Sequence, residues 1–70
     1  MKIRDIKGEM IVYDLQSDAE ACRWFLEVGR AGDWLDDTGE LMSVVVKQVF
    51  GFEVEFDNNG RVRVPEGALT

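Results

Sequence analysis

The architecture hinges on one run, Asp36-Asp37-Thr38-Gly39-Glu40-Leu41-Met42-Ser43-Val44-Val45-Val46-Lys47-Gln48-Val49-Phe50-Gly51. Two readings compete for it. In the first, residues 36–40 turn the chain and launch a strand through residues 41–46, where three consecutive β-branched valines suit a pleated surface. That strand puts Met42, Val44 and Val46 on one face with Phe50, Phe52, Val54 and Phe56. Unbroken from residue 40 to 56 it would span ~56 Å, too long for a chain of this size, so it requires a bend or bulge near Gly51. In the second reading Asp37 caps a helix, Glu40 stands at its third position, Gly51 stops it, and Glu40, Ser43 and Lys47 form a polar stripe. β-propensity decides for the strand.

Downstream, Phe52-Glu53-Val54-Glu55-Phe56 and Arg61-Val62-Arg63-Val64 both alternate strictly. A three-residue loop, Asn58-Asn59-Gly60 with Gly60 left-handed, sets Phe56 opposite Val62 and Val54 opposite Val64 on the buried side. Asp57 then meets Arg61 and Glu55 meets Arg63 on the wet side, a favourable cross-strand pairing of charge. A two-residue loop would bring the wrong faces together. Pro65 ends the strand, and residues 66–70 read as a loose tail.

Upstream, residues 2–15 read as a hairpin turning at Lys7-Gly8, with Ile11, Tyr13 and Leu15 on one face. Ser17-Asp18-Ala19-Glu20 is a capping box, predicting a helix to about Arg30 that ends in Gly29-Arg30-Ala31-Gly32. At 100° per residue, Ala21, Cys22, Phe25, Val28 and Gly29 face the sheet. Glu20, Arg23, Glu27 and Arg30 face solvent, and Trp24 and Leu26 stand on the boundaries. The sum is one α+β domain over residues 1–70. It has a small antiparallel sheet of four to five strands with one helix packed on one face, in the order ββαβββ, or ββααββ if residues 40–50 are helical.

Composition narrows the functional classes. Of the 70 residues, 46% are apolar, so the chain is a folder. No apolar run approaches the ~18 residues of a membrane span, and Met1-Lys2-Ile3-Arg4-Asp5 has no room for a signal peptide's apolar core. Cys22 is the only cysteine, which excludes an intrachain disulfide. Together these favour the cytoplasm.

Fourteen acidic against eight basic residues give a net charge of −6. The basic residues are scattered, which argues against direct binding of nucleic acid. There is no histidine, hence neither the commonest general base nor most zinc sites. Cys22 falls on the core face of its helix, as a packed small hydrophobe. Glu55, Asp57, Asn59, Gly60 and Glu66 match positions of a calcium-loop template, but their flanks alternate as strands instead of forming helices. The reading is non-enzymatic, with no cofactor and no metal.

What stands out is the segment bearing Asp33, Asp36, Asp37 and Glu40, with no cation between Arg30 and Lys47. A solvated loop is the plain interpretation. The functional one is a negative patch that recognises a basic protein surface. Trp34 lies inside the segment and Trp24 on the helix boundary. Core packing is the default for each, and tryptophan's enrichment at binding hot spots makes an exposed Trp34 in an acidic rim the alternative. These six residues, Asp33, Trp34, Asp36, Asp37, Glu40 and Trp24, form the candidate partner-binding set. The expected partner is a protein with a basic surface, most concretely a nucleic-acid-handling complex, which the chain would inhibit or regulate. In size and acidity alone, the chain resembles phage-encoded inhibitors of host defence such as anti-CRISPR proteins. A structural homodimer burying surplus Phe50, Phe52 and valines, and a calcium-binding or metal-dependent protein, are the alternatives.

Overall fold

The computed structural model describes residues 1–29 and 32–68. In chain order it holds β1 (Ile3–Asp5), β2 (Ile11–Val12), α1 (Asp18–Glu27), β3 (Trp34–Leu35), α2 (Met42–Phe50), β4 (Glu55–Phe56) and β5 (Val62–Arg63). The α+β class stands. The expected single sheet and single helix do not, because the chain builds two antiparallel sheets, β2-β1-β3 and β4-β5, and two helices. The order is ββαβαββ, which neither expectation contained.

The valine run is helical, and the reason is burial. Met42, Val45 and Val46 lie at helical spacing and are the buried residues of α2, while Val44 and Val49 remain partly exposed. Four valines in a helix cost together roughly 2–3 kcal/mol relative to alanine. Burying Met42, Val45 and Val46 is worth about 1.5–3 kcal/mol each, so packing outweighs propensity. Gly51 ends the helix in the left-handed conformation (φ 84°), its amide donating to the Lys47 carbonyl.

β1 is the central strand of the larger sheet. Ile3 opposes Val12 and Arg4 opposes Ile11 on one side, and Arg4 opposes Leu35 and Asp5 opposes Trp34 on the other. Ile3 and Asp5 face inward and are buried. The turn after β1 is organised by the Asp5 carboxylate, which accepts from the amides of Glu9 (2.9 Å) and Met10 (3.1 Å). The Asp5 carbonyl accepts from Gly8 N–H at 2.9 Å, with Gly8 left-handed at φ 76°, as the Lys7-Gly8 signal predicts.

One face assignment is corrected. Leu15 is buried, but Ile11 (42% exposed) and Tyr13 (61% exposed) lie on the outer surface. The cause is an extra residue at Asp14, which adopts φ 65°. Val12 pairs with Ile3, yet Leu15 exchanges hydrogen bonds with Met1 at 3.1 and 2.9 Å, so the register slips by one and Leu15 turns inward.

α1 starts as predicted. The Ser17 hydroxyl accepts from Glu20 N–H (3.1 Å), and the Glu20 carboxylate accepts from Gln16 N–H (2.6 Å), one residue upstream of the expected reciprocal partner. Ala21, Cys22 and Phe25 are buried, and Glu20, Arg23 and Glu27 face solvent. The helix ends at Glu27, short of the predicted end, and Val28, its cap, is exposed instead of inward-facing. Arg30 and Ala31, which carry part of the expected stop signal, lie outside the described residues.

The core joins α1, α2 and the inner face of the larger sheet through Ile3, Leu15, Phe25, Trp34, Met42 and Val46. Gly29 makes room for Trp34. A Cβ there would stand 2.8 Å from the Phe25 carbonyl oxygen and 3.2 Å from Trp34 Nε1.

The C-terminal hairpin has the predicted register, Glu55 opposite Arg63 and Phe56 opposite Val62, with Gly60 left-handed at φ 79°. Phe56 is less covered than predicted, at 38% exposed, and sits edge-on to Phe25 with centroids 6.4 Å apart. Within the expected tail, Ala68 N–H closes a turn on the Pro65 carbonyl, and residues 69 and 70 lie outside the described residues. Among the described residues no helix is long and apolar enough to cross a membrane.

Replacing Asp5 by alanine strips two amides of their acceptor beneath the sheet and is expected to cost about 2–3 kcal/mol in urea unfolding, with Asp5→Asn intermediate. A loss under about 0.5 kcal/mol would show that the turn closes without the carboxylate.

Candidate functional site

The acidic segment is an ordered structure in which three of the four carboxylates, those of Asp33, Asp36 and Glu40, accept hydrogen bonds. Asp33 immediately precedes β3. Its Oδ1 accepts from the amides of Trp34 (2.8 Å) and Ser43 (3.1 Å), and its Oδ2 accepts from the Ser43 hydroxyl at 2.5 Å. Ser43 is in the first turn of α2, whose own N-cap residue, Leu41, has no side chain able to accept. Asp33 therefore caps α2 from ten residues upstream, placing negative charge at the positive end of the helix dipole.

Asp36 holds the turn between β3 and α2. Its Oδ1 accepts from the Thr38 amide (2.9 Å), the Thr38 hydroxyl (2.7 Å) and the Glu40 amide (2.8 Å). Asp36 N–H donates to the Glu40 carbonyl and Gly39 N–H to the Asp36 carbonyl, with Gly39 left-handed at φ 84°. Burial would raise the Asp36 pKa, but the bonds from Thr38, Glu40 and Gly39 prevail and hold it below its ordinary value.

The two remaining carboxylates face outward. Asp37 is exposed, and Glu40 is exposed with Oε1 accepting from Leu41 N–H at 3.0 Å. The carboxylates of Asp33, Asp36 and Glu40 are thus engaged by amides and hydroxyls. Their negative charge is fixed in place without being neutralised by those partners.

Trp34 is only 1% exposed and is part of the core, as the default reading has it, which rules out the alternative of an exposed anchor in an acidic rim. Its position in β3 opposite Asp5 points the side chain beneath the sheet, into the space left by Gly29. Its Nε1 is buried with no hydrogen-bond acceptor among the described residues. Trp24 is half-buried and packs edge-on against Trp34, centroids 5.0 Å apart at 69°. Of the six candidates, Asp37 and Glu40 present free surface, Asp33 and Asp36 shape the segment, and the two tryptophans form one aromatic contact.

Beside Asp36 and Asp37 the structure brings residues absent from the candidate set. Lys2, Ile3, Arg4 and Ile11 join Asp36, Asp37 and Gly39 around a shallow depression of about 290 Å³. Lys2, Arg4 and Ile11 are exposed there because the helices cover the opposite side of the sheet. Finding them from sequence required recognising residues 34 and 35 as the strand that pairs with β1, and two residues carry no readable period.

The other chemistry-bearing groups are occupied by the fold. Cys22 is fully buried, and burial, then the charge of Asp18, pushes its thiol up to about 11. Asp57 of the calcium template uses Oδ1 to accept from Arg61 N–H (3.0 Å) and Asn59 N–H (2.8 Å). Those bonds, assisted by the Arg61 and Arg63 charges, hold it below its ordinary value. Among the described residues no three His, Cys, Asp or Glu side chains group in a way that could hold a metal ion. No family model, curated protein or solved structure matches the chain.

The depressed Asp36 pKa has a signed consequence. A folded value below the unfolded one means the stabilisation is complete above the ordinary 3.8 and disappears as pH falls through the folded value. Asp36→Asn is expected to lower stability at neutral pH and flatten the acid limb of the stability profile below that value. An unchanged acid limb would contradict the turn's electrostatic origin.

Proposed function

We propose that the protein is a non-enzymatic binding module whose acidic turn, residues 36–40, docks on the basic surface of a nucleic-acid-handling protein and thereby regulates or inhibits it. One observation carries the reading. Asp37 and Glu40 stand exposed on a turn whose shape is set by Asp36, so their charge is presented in a fixed geometry. Prepositioned charge loses less conformational entropy on binding than charge on a free loop. A surface that normally holds phosphates is a natural counterpart, since carboxylates at intervals compete for the same lysines and arginines. The net charge of −6 adds long-range attraction to such a partner and repulsion from nucleic acid itself.

The test separates charge from fold. Asp37→Asn with Glu40→Gln leaves Asp33 and Asp36 in place, so the turn and the α2 cap survive. Retention of nucleic-acid-binding proteins from native lysate by the immobilised chain is expected to fall at least about fivefold in this variant, and to weaken between about 50 and 200 mM salt. Equal retention by both forms, independent of salt, would remove the acidic turn from the interaction.

A further inference from the structure

We propose that the depression between the outer face of β1 and the acidic turn takes a mixed-charge segment of a partner protein, whose basic side chain pairs with Asp37 while a neighbouring carboxylate pairs with Lys2 and Arg4. The inference rests on the reading of the acidic turn as a docking element, and it adds what the partner must carry besides positive charge. One juxtaposition underlies it: opposite charges line the same depression without meeting. Lys2, Arg4, Asp36 and Asp37 stand around about 290 Å³ together with Ile3, Ile11 and Gly39. Among the described residues, none of Lys2, Arg4 and Asp37 makes an ion pair or a side-chain hydrogen bond.

The fold holds the two signs apart. Arg4 lies opposite Ile11 on one side and Leu35 on the other, so these three side chains share the outer face of the sheet. Lys2 has the parity of Arg4 and is exposed like it. Asp36 follows Leu35 and begins a turn, closed by its N–H on the Glu40 carbonyl and by its Oδ1 on the amides of Thr38 and Glu40. Those bonds commit Asp36 to the turn and not to the cations of β1, and Asp37 is carried on the same turn.

Charge selects the occupant by exclusion. A uniformly basic surface would bring its cations against Lys2 and Arg4, a like-charge juxtaposition that costs affinity. A nucleic-acid strand would set its phosphates against Asp36 and Asp37, and against the net charge of −6. A small molecule would find little enclosure, since about 290 Å³ lies at the lower limit of ligand pockets and the depression is shallow. A partner chain presenting a base beside an acid satisfies both walls, with the stem of its basic side chain resting on Ile11. In an extended segment, residues two apart lie on one face, roughly 6.5–7 Å from each other.

Amide chemical-shift titration of the full chain with capped, threonine-spaced peptides tests this. The peptides carry arginine and glutamate two residues apart in either order, two arginines, or two glutamates, and oligothymidylate serves as the phosphate probe. A mixed peptide is expected to bind at least about tenfold more tightly than the two-arginine peptide and to shift the amides of Arg4, Leu35 and Asp37. Lys2→Glu with Arg4→Glu alters exposed side chains only, should keep the native circular dichroism, and should reverse that preference. Equal binding of mixed and two-arginine peptides, both lost in Asp37→Asn with Glu40→Gln, would overturn the inference while leaving the acidic turn as a docking element. A preference for the mixed peptide that survives Lys2→Glu with Arg4→Glu would overturn it too. So would tightest binding by the two-glutamate peptide or by oligothymidylate, which would assign the two cations to an anion alone. Shifts from none of the probes, or binding indifferent to Asp37→Asn with Glu40→Gln, would remove both the inference and the reading beneath it.

Discussion

The Asp33 carboxylate is the tie on which the middle of this molecule depends. It joins the entrance of β3 to the first turn of α2 through two amides and one hydroxyl. Without an acceptor there, the start of α2 would leave free amides, since Leu41 contributes none. With the acceptor in place, Trp34 is drawn under the sheet and Met42, Val45 and Val46 are brought onto the core. A charge–amide hydrogen bond is worth about 1.5–3 kcal/mol, a substantial fraction of what a chain of this length can hold in reserve. Local charge chemistry thereby decides a tertiary arrangement.

The same chemistry recurs at three turns. Asp5 with Gly8, Asp36 with Gly39, and Asp57 with Gly60 share one spacing, with the glycine left-handed and its amide donating to the aspartate carbonyl. In each, the aspartate side chain also accepts amides later in the turn. Short strands of two or three residues cannot supply much ladder energy, and these carboxylates replace part of it. Much of the acidity that the composition offers for recognition is consequently committed to folding. The carboxylates of the acidic turn that stand exposed to a partner are those of Asp37 and Glu40, at its second and last positions.

This division explains what could be read in advance. The Ser17 cap, the inward positions Ala21, Cys22 and Phe25 of α1, the Gly60 loop and the β4–β5 register were legible because local patterns govern them. The helix over residues 42–50 was legible only as the second reading, with Gly51 correctly its stop, since its deciding cap is Asp33, ten residues before Ser43, and not Asp37, and valine propensity points the other way. The Ile11 and Tyr13 face was misread because one left-handed aspartate, Asp14, shifts the alternation by a residue. For the site, the acidic segment was visible but its internal division of labour was not. Core packing was the default for Trp34, and strand pairing with Asp5 and the space at Gly29 show how it comes inside and remove the exposed-anchor alternative. The thrice-repeated Asp-x-x-Gly spacing was the available signal for the turns.

The tie between Asp33 and Ser43 can be isolated by a double-mutant cycle, measuring unfolding free energies of Asp33→Ala, Ser43→Ala and both together. If the carboxylate links β3 to α2 through Ser43, the two losses will fall short of additivity by about 1 kcal/mol or more. Additivity within about 0.3 kcal/mol, together with an Asp33→Ala loss under about 0.5 kcal/mol, would contradict the account, since neither the hydroxyl nor the Ser43 amide would then depend on the carboxylate.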